Sequence, residues 1–209
     1  MTGARGWGRG AGGWCAAVVF AAFMAACSGG APGEEKYLAD LARERQAKDA
    51  ELARASNSPI KPADRDRFLP LAYYPPDPRY AVPASFEAEP PARRTRVVMQ
   101  TSADKPRLME RLGTLRFTID GHQLGLAAFV EAGQPADRLF VPFADGTSGK
   151  ETYSAGRYLD LRPESTGIYV VDFNRAYNPY CYYNASYDCP FPPKENRLPI
   201  AVRAGERTR

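Results

Sequence analysis

The sequence is poor in the residues on which common enzyme mechanisms depend. Its 209 residues include one histidine, His122, and four cysteines. A Ser-His-Asp mechanism, a Cys-His mechanism or a histidine metal site would have to use His122. This residue follows the predicted Asp120-Gly121 turn, where side chains usually face water. We therefore interpret His122 as a solvated turn residue, and we expect neither a metal nor a cofactor.

The chain also lacks a stripe of positive charge. Its 28 lysine and arginine residues are nearly balanced by 24 aspartate and glutamate residues, and the charges are interspersed. The densest basic cluster, Arg93-Arg94-Thr95-Arg96, indicates an exposed strand edge or a membrane-proximal face. Because a nucleic-acid-binding protein needs a basic patch, we expect no nucleic-acid partner.

No apolar run at the N-terminus is long enough to span a bilayer, but this region resembles a secretion signal. Two arginines precede an apolar run from Trp14 to Ala26, and Met24-Ala25-Ala26-Cys27 resembles a bacterial lipobox. We predict that residues 1–26 are a lipoprotein signal peptide and that Cys27 carries the lipid. The alternative is an ordinary secretory signal with a chance cysteine.

The predicted anchor would hold the protein close to a membrane, which would then be its partner. Residues 27–33 comprise the lipid-bearing cysteine and a short linker that reaches about 20 Å at most. Several acyl chains on one residue give lasting attachment. Because Ser28 is not an inner-membrane retention residue, we predict an outer-membrane lipoprotein that faces the periplasm.

After the linker, the mature chain is predicted to form a helix. Residues 34–57 combine good helix formers with acidic residues in the first turn, and the sequence Ser56-Asn57-Ser58-Pro59 ends the helix. Arg45 and Lys48 interrupt its apolar stripe, so we expect it to pack lightly or at one end. Residues 59–83 contain seven prolines and predict extended chain without regular structure.

The domain of residues 58–209 is predicted to be mainly β, because apolar and polar residues alternate along much of it. The predicted strands are Tyr80–Glu89, Arg94–Gln100, Leu112–Asp120, Gln123–Glu131, Leu139–Ala144, Gly156–Leu161 and Gly167–Phe173. Asp120-Gly121 is the signal of a type I′ hairpin turn. Six to eight short strands joined by short turns indicate an antiparallel barrel or a strongly bent sheet.

Residues 172–196 differ in composition from the rest of the chain. They contain five tyrosines, four prolines and two cysteines. The segment is too aromatic for a disordered tail and too rich in proline for a helix or a central strand. We predict an ordered but irregular C-terminal cap over the core.

Cys181 and Cys189 are the two cysteines of this cap. In an oxidising periplasm, a disulfide between them would close a nine-residue loop and add about 2.5 kcal/mol of stability. The alternatives are two buried thiols or a redox-active pair, although redox pairs favour a two-residue spacing. A zinc site would need further ligands, which are not nearby in the sequence.

Most polar residues from which a site could be built lie in the C-terminal third of the chain. They are Asp145, Thr147, Glu151, Tyr153, Arg157, Asp172, Asn174, Asn178, Glu195, Asn196 and Glu206. Together with the tyrosines, they could form a polar pocket for a small ligand. They could equally satisfy the buried peptide groups of an irregular cap, and we favour this structural interpretation.

Several motifs of the mature chain resemble those of a known family. They are Phe143-Ala144-Asp145-Gly146-Thr147, Gly156-Arg157-Tyr158-Leu159, Asp172-Phe173-Asn174-Arg175-Ala176-Tyr177-Asn178-Pro179, Cys189-Pro190, Glu195-Asn196 and Ala204-Gly205-Glu206. Together they resemble domain of unknown function 1684, an uncharacterised bacterial family, over nearly the whole mature chain. The resemblance implies no particular activity.

Two functional hypotheses follow from the sequence. The first is a non-enzymatic, membrane-tethered module that binds a ligand or associates with the envelope; the anchor, the single histidine and the aromatic cap favour it. The second is a hydrolase-like small-molecule enzyme with a carboxylate, arginine and cysteine cleft around Asp172 and Glu195. The hypotheses differ in whether these side chains converge on one concave pocket.

Overall fold

The structure, a computed structural model, describes residues 1–3, 32–162 and 165–209. The predicted lipid-bearing Cys27, and all but three residues of the predicted signal peptide, lie outside these residues. In the part of the chain that is described, no helix is both long and apolar enough to cross a bilayer.

A curled antiparallel sheet forms a half-barrel and confirms the predicted mainly β fold. Its strands are β1 (Ala81–Ala88), β2 (Arg96–Met99), β3 (Arg107–Ile119), β4 (His122–Glu131), β5 (Leu139–Phe143), β6 (Arg157–Leu161) and β7 (Ile168–Asp172). Their order is β6-β5-β4-β3-β1-β7, and β2 pairs with the first half of β3.

All seven predicted strands are present, and apart from the start of β3 their ends lie within two residues of the prediction. This strand begins at Arg107 rather than at the predicted Leu112. A bulge between Arg111 and Gly113 shifts the register there and interrupts the alternation of side chains, which conceals the first part of the strand in the sequence.

The β3–β4 hairpin and the core explain why the sheet curls around one apolar interior. The turn residues Asp120 and Gly121 have φ angles of 48° and 80°, as the predicted type I′ turn requires. Apolar side chains from the concave face pack around Phe173, whose ring lies 5.2 Å from the ring of Phe143. The largest fully buried residues of this core include Leu115, Leu126, Leu159, Val141 and Val171.

The predicted N-terminal helix is α1 (Pro32–Arg54), but its packing differs from the expectation. It buries Leu41 and Leu52, and polar side chains fasten it along its length rather than at one end. Arg45, which interrupts the apolar stripe, donates to the backbone carbonyl of Tyr74 at 3.1 Å. The expectation was wrong because polar residues were counted as interruptions, although they bond to the domain.

The proline-rich segment after α1 contains more regular structure than predicted. It forms short 3-10 helices at Pro62–Asp64 and Pro78–Tyr80 and a four-residue helix, α2 (Arg65–Phe68). Prolines at the first positions of the 3-10 helices favour these turns, because their missing N–H is not needed there. Ile60, Phe68 and Leu71 form a second apolar cluster with Leu52 and Tyr183.

The cap of residues 172–196 is ordered and mostly irregular. It contains 3-10 helices at Phe173–Arg175 and Lys194–Asn196 and a four-residue helix, α3 (Tyr180–Tyr183). Its tyrosine rings meet edge to face, as in the pair Tyr180–Tyr187 with centroids 5.3 Å apart. Such aromatic contacts stabilise a segment that has few backbone ladders.

Candidate functional site

The structure distributes the predicted polar residues over several separate networks. Two of these residues form a buried ion pair at the start of β6, two lie at the end of β7, two lie under α1, and one joins β4 to β5. Of the remaining ones, Thr147 is buried beside the ion pair, Glu151 and Glu195 lie near the surface, and Tyr153 lies beside Cys181. They do not converge on one cleft.

Arg157 and Asp145 form the buried ion pair. Arg157 Nη2 lies 2.7 Å from Asp145 Oδ2, and their side chains are 1% and 0% exposed. The guanidinium also donates to three backbone carbonyls near the C-terminus, those of Val202, Ala204 and Glu206. Asp145 accepts a hydrogen bond from the backbone N–H of Thr147 at 2.6 Å. These contacts fasten the C-terminal segment, residues 197–209, to β6.

Asp172 and Asn174 form a second network at the end of β7, beneath the first turns of α1. Tyr37 donates its hydroxyl to Asp172 at 2.9 Å, and Asn174 Nδ2 donates to the Tyr37 oxygen at 2.9 Å. Burial and the Asp172 charge raise the pKa of Tyr37 well above its usual value. Asn174 also bonds both backbone groups of Asp77. The carboxylate and the amide therefore hold α1 and the chain before β1 in place.

Glu206 is the centre of a third network, and its side chain is 1% exposed. It accepts from Lys48 Nζ at 2.6 Å, from the backbone N–H of Asn178 at 2.8 Å and from the hydroxyl of Tyr183 at 2.7 Å. Burial, and then the Glu206 charge, raise the pKa of Tyr183 far above its usual value. Lys48 thus ties α1 to the C-terminal segment.

Asn196 joins β4 to β5, which pair in register at a single position, Phe129 with Phe140. The fully buried Asn196 accepts from the backbone N–H of Ala127 at 2.8 Å. Its Nδ2 donates to the carbonyl of Ala127 at 2.9 Å and to that of Pro142 at 2.7 Å. Pro142 has no N–H to contribute to a ladder, and the Asn196 amide bridges the two strands at this point.

The two remaining carboxylates of the predicted site lie near the surface and are occupied by arginines. Glu151 accepts three hydrogen bonds from Arg203, and these are the main cause of its lowered pKa. Glu195 has a 46% exposed side chain and lies 3.4 Å from Arg111. Neither carboxylate lies beside Asp172 in a shared pocket.

Cys181 and Cys189 lie next to each other as free thiols. The backbone N–H of Cys181 donates to Cys189 Sγ at 3.2 Å, and the hydroxyl of Tyr153 lies 3.9 Å from Cys181 Sγ. Burial, followed by the charge of Cys181, raises the pKa of Tyr153 to about 12. The disulfide remains a prediction for the exported protein.

A large open groove lies between the cap, α1, the β4–β5 connection and strands β3 to β6. Its volume is about 840 Å³. Four tyrosines line it: Tyr158, Tyr177, Tyr180 and Tyr187. Apolar residues, among them Leu52, Met109, Val130 and Phe140, complete its wall. We call this feature the tyrosine groove.

The tyrosines of the groove are held in place by the protein. The hydroxyl of Tyr158 donates to the carbonyl of Pro190 at 2.6 Å, and that of Tyr177 donates to Asp160 at 2.7 Å. Tyr180 is 47% exposed, which leaves much of its side chain available to a ligand. The groove thus combines a preformed aromatic wall with an exposed ring, that of Tyr180.

The groove has an excess of unpaired negative charge. Each of its three basic side chains faces an acidic partner: Lys48 with Glu206, Arg107 with Asp188, and Arg138 with Asp160. Its other acidic residues are Glu51, Glu131 and Asp137. None of these three forms an ion pair with any residue that the structure describes.

The sequence interpretation missed this groove almost entirely. Of the residues predicted to form a site, only Cys189 lines it. The signal that could have located it was the density of tyrosines in the cap, for which a structural role was favoured over a ligand pocket. Within the described ranges, no three His, Cys, Asp or Glu side chains are grouped as metal ligands would be.

Comparison with known proteins identifies relatives but no activity. The sequence model of a family described as "Protein of unknown function (DUF1684)" matches residues 66–207. An uncharacterized protein of Haloarcula marismortui, solved by solution NMR, is 39% identical, with a TM-score of 0.66. The match covers 84% of this chain and 96% of that one. No protein of curated function matches the chain.

Proposed function

We propose that this chain, which belongs to the DUF1684 family of proteins of unknown function, is a membrane-anchored envelope lipoprotein that binds a small organic molecule in the tyrosine groove. The observation that carries the binding role is the groove itself. Small-molecule sites are concave, about 300–1,000 Å³ in volume, and lined by apolar and aromatic groups with a few polar ones. The groove meets each of these criteria.

The charge of the groove favours a ligand that carries an amine. Aromatic faces attract cations, and unpaired carboxylates near them strengthen this preference. Glu51 faces Tyr180 closely enough that its charge helps to raise the pKa of that tyrosine, after burial. The ligand class we propose is therefore a small molecule with an aromatic or apolar part and a positively charged amino group.

The positions of the predicted catalytic candidates favour binding over catalysis. Asp145, Asp172 and Glu206 are each engaged by hydrogen bonds from protein groups. A general acid or base must reach the substrate proton, and these carboxylates lie outside the groove. This distribution supports the non-enzymatic hypothesis.

Replacing Tyr180 with alanine is expected to weaken binding of an aromatic amine. We expect phenethylamine to bind the wild-type protein, and Tyr180→Ala to raise its dissociation constant about two- to fivefold, because a cation–π contact at an exposed ring is lost. Isothermal titration calorimetry measures both values. 3-Phenylpropionate, which has the opposite charge, is expected to bind more weakly than phenethylamine.

The matched control is Phe191→Ala, since Phe191 is a similarly exposed aromatic residue of the cap that does not line the groove. It should leave the affinity for phenethylamine unchanged. Equal affinity for phenethylamine and 3-phenylpropionate would contradict the proposed groove site. Equal losses of phenethylamine affinity in Tyr180→Ala and Phe191→Ala would contradict it as well.

Membrane attachment is expected to depend on Cys27. The basic residues, the apolar run and the small residues before Cys27 support lipidation at this position. In cells fed an alkyne-labelled fatty acid, Cys27→Ser should lose the label and leave the washed membrane fraction. Cys15→Ser, which changes a cysteine within the signal segment, should keep both the fatty-acid label and the membrane association. Labelling of the Cys27→Ser variant would refute the anchor.

A further inference from the structure

We propose that Cys181 and Cys189 form a reversible thiol–disulfide exchange site at the wall of the tyrosine groove, with small-molecule disulfides as its substrate class. The chain separates the two cysteines by seven residues, and the fold brings them into contact. A two-residue spacing is therefore not needed to place the sulfur atoms together.

The two cysteines differ in access, which assigns each a role in exchange. Cys181 lies in α3 and is half-buried, whereas Cys189 is 6% exposed. An incoming disulfide can reach Cys181 first. Cys189 is less exposed and lies in contact with Cys181, in position to attack a bond formed there. The half-buried residue is the attacking thiol and the buried one is the resolving thiol.

The surroundings of the pair favour a thiolate at Cys181. A hydrogen bond from the Cys189 thiol is the main cause that lowers the pKa of Cys181 to about 6. The same interaction, followed by burial, raises the pKa of Cys189. The thiolate is the nucleophile in exchange. A hydrogen bond that stabilises the reduced pair also makes the disulfide easier to reduce, which keeps the reaction reversible.

The exchange proceeds in two steps with a disulfide R–S–S–R as the oxidant. The Cys181 thiolate attacks one sulfur, the R–S–S–R bond breaks, and one thiolate R–S⁻ leaves with the electron pair. Cys189, after losing its proton, attacks the Cys181 sulfur and releases the second R–S⁻. The two protons of the protein thiols end on two molecules of R–SH. Two protein thiols are oxidised and one disulfide is reduced.

The cysteine pair is continuous with the wall of the groove. Cys189 itself lines the groove, as do Tyr180, which precedes Cys181, and Tyr187. A bond between the cysteines closes the loop that joins these two rings, and restricts their motion. The exchange reaction stands on the cysteine geometry alone, whereas its effect on a ligand rests on the proposed function.

The test uses the full chain with Cys15→Ser and Cys27→Ser, so that only Cys181 and Cys189 carry thiols. Oxidised glutathione is the probe, and mass spectrometry of intact protein and of peptides follows the products. We expect the parent protein to form the internal disulfide without a stable adduct. Adding Cys189→Ser should trap one glutathione on Cys181. Adding Cys181→Ser should instead slow modification at least about tenfold, because the remaining thiol is buried.

Two further measurements make each outcome decisive. Dithiothreitol should restore both thiols of the parent protein, and a disulfide that resists it would overturn reversibility. Hydrogen exchange of residues 177–190 should slow on oxidation, and unchanged exchange would overturn the effect on the groove. Faster modification of Cys189 than of Cys181 would overturn the assigned roles. These readouts need no groove ligand, so they are independent of phenethylamine binding, and melting curves verify that each variant is folded.

Discussion

Replacing Arg157 with methionine is expected to lower the free energy of unfolding by about 3–5 kcal/mol, because breaking a buried ion pair leaves an uncompensated charge. The carboxylate that loses its partner is that of Asp145, whose side chain is fully buried. Three backbone carbonyls of the C-terminal segment also lose their donor. For a domain of this size the midpoint of thermal unfolding should fall by about 6–20 °C. Calorimetry and urea unfolding measure the two quantities.

The matched control is Arg203→Met, which removes an arginine from an exposed pair with Glu151. Their side chains are 58% and 37% exposed, so this change should cost less than about 1 kcal/mol. Adding Asp145→Leu to Arg157→Met should recover part of the lost free energy of unfolding, because it removes the unpaired buried carboxylate. Equal costs for Arg157→Met and Arg203→Met would contradict the role of Arg157 as the fastening of the C-terminal segment.

Replacing Asn196 with aspartate is expected to cost about 3–5 kcal/mol at pH 7. The change preserves the shape of the side chain but replaces the Nδ2 donor with an oxygen. Two carbonyl oxygens, those of Ala127 and Pro142, would then face a carboxylate in a fully buried position. Because β4 and β5 pair in register at one position only, we expect the sheet to open between them.

The loss of stability caused by Asn196→Asp should increase with pH. Burial and the two carbonyls raise the pKa of the introduced carboxyl in the folded state above its unfolded value of about 3.9. The carboxyl is neutral in both states below that value, so the deficit is smallest near pH 4 and grows as pH rises towards 7. Urea unfolding at several pH values measures it.

Asn184→Asp is the control for charge alone, because its Oδ1 already accepts from Ser186 and the aspartate keeps that acceptor. This variant should change stability by less than about 0.5 kcal/mol at every pH. A deficit of Asn196→Asp that shrinks as pH rises would show that the bridge between β4 and β5 does not depend on the amide.

The sheet could be predicted because the sequence signals of its strands and turns are local. Alternating side chains mark each strand, and the Asp120-Gly121 turn fixes the register of the longest hairpin. Where a local irregularity interrupts the alternation, as at the bulge near Arg111, the prediction missed part of the strand. The family resemblance rested on motifs that are likewise local, and the family match over residues 66–207 confirms it.

The arrangement of polar residues could not be predicted, because it depends on contacts between distant parts of the chain. Nothing near Lys48 in the sequence indicates that its partner is Glu206. The same holds for Tyr37 and Asp172. The polar residues were recognised as a set, but the sequence did not indicate that they would lie in separate networks.

The groove escaped prediction for a related reason. Its wall is assembled from α1, four strands, the β4–β5 connection and the cap, and no single segment carries a recognisable motif. Tyr180 and Tyr187 have the composition of ordinary packing residues. Their partial exposure follows only from the fold, which places them around an opening.

The contacts between α1 and the end of the chain also determine when folding can finish. Lys48 and Glu206 are 158 residues apart, and Tyr37 and Asp172 are 135 residues apart. A ribosome makes α1 early, and Lys48 has no Glu206 partner until all the residues between them have been made. Contacts between residues so far apart form slowly. The contacts that hold α1 against the domain are therefore expected to form late in folding.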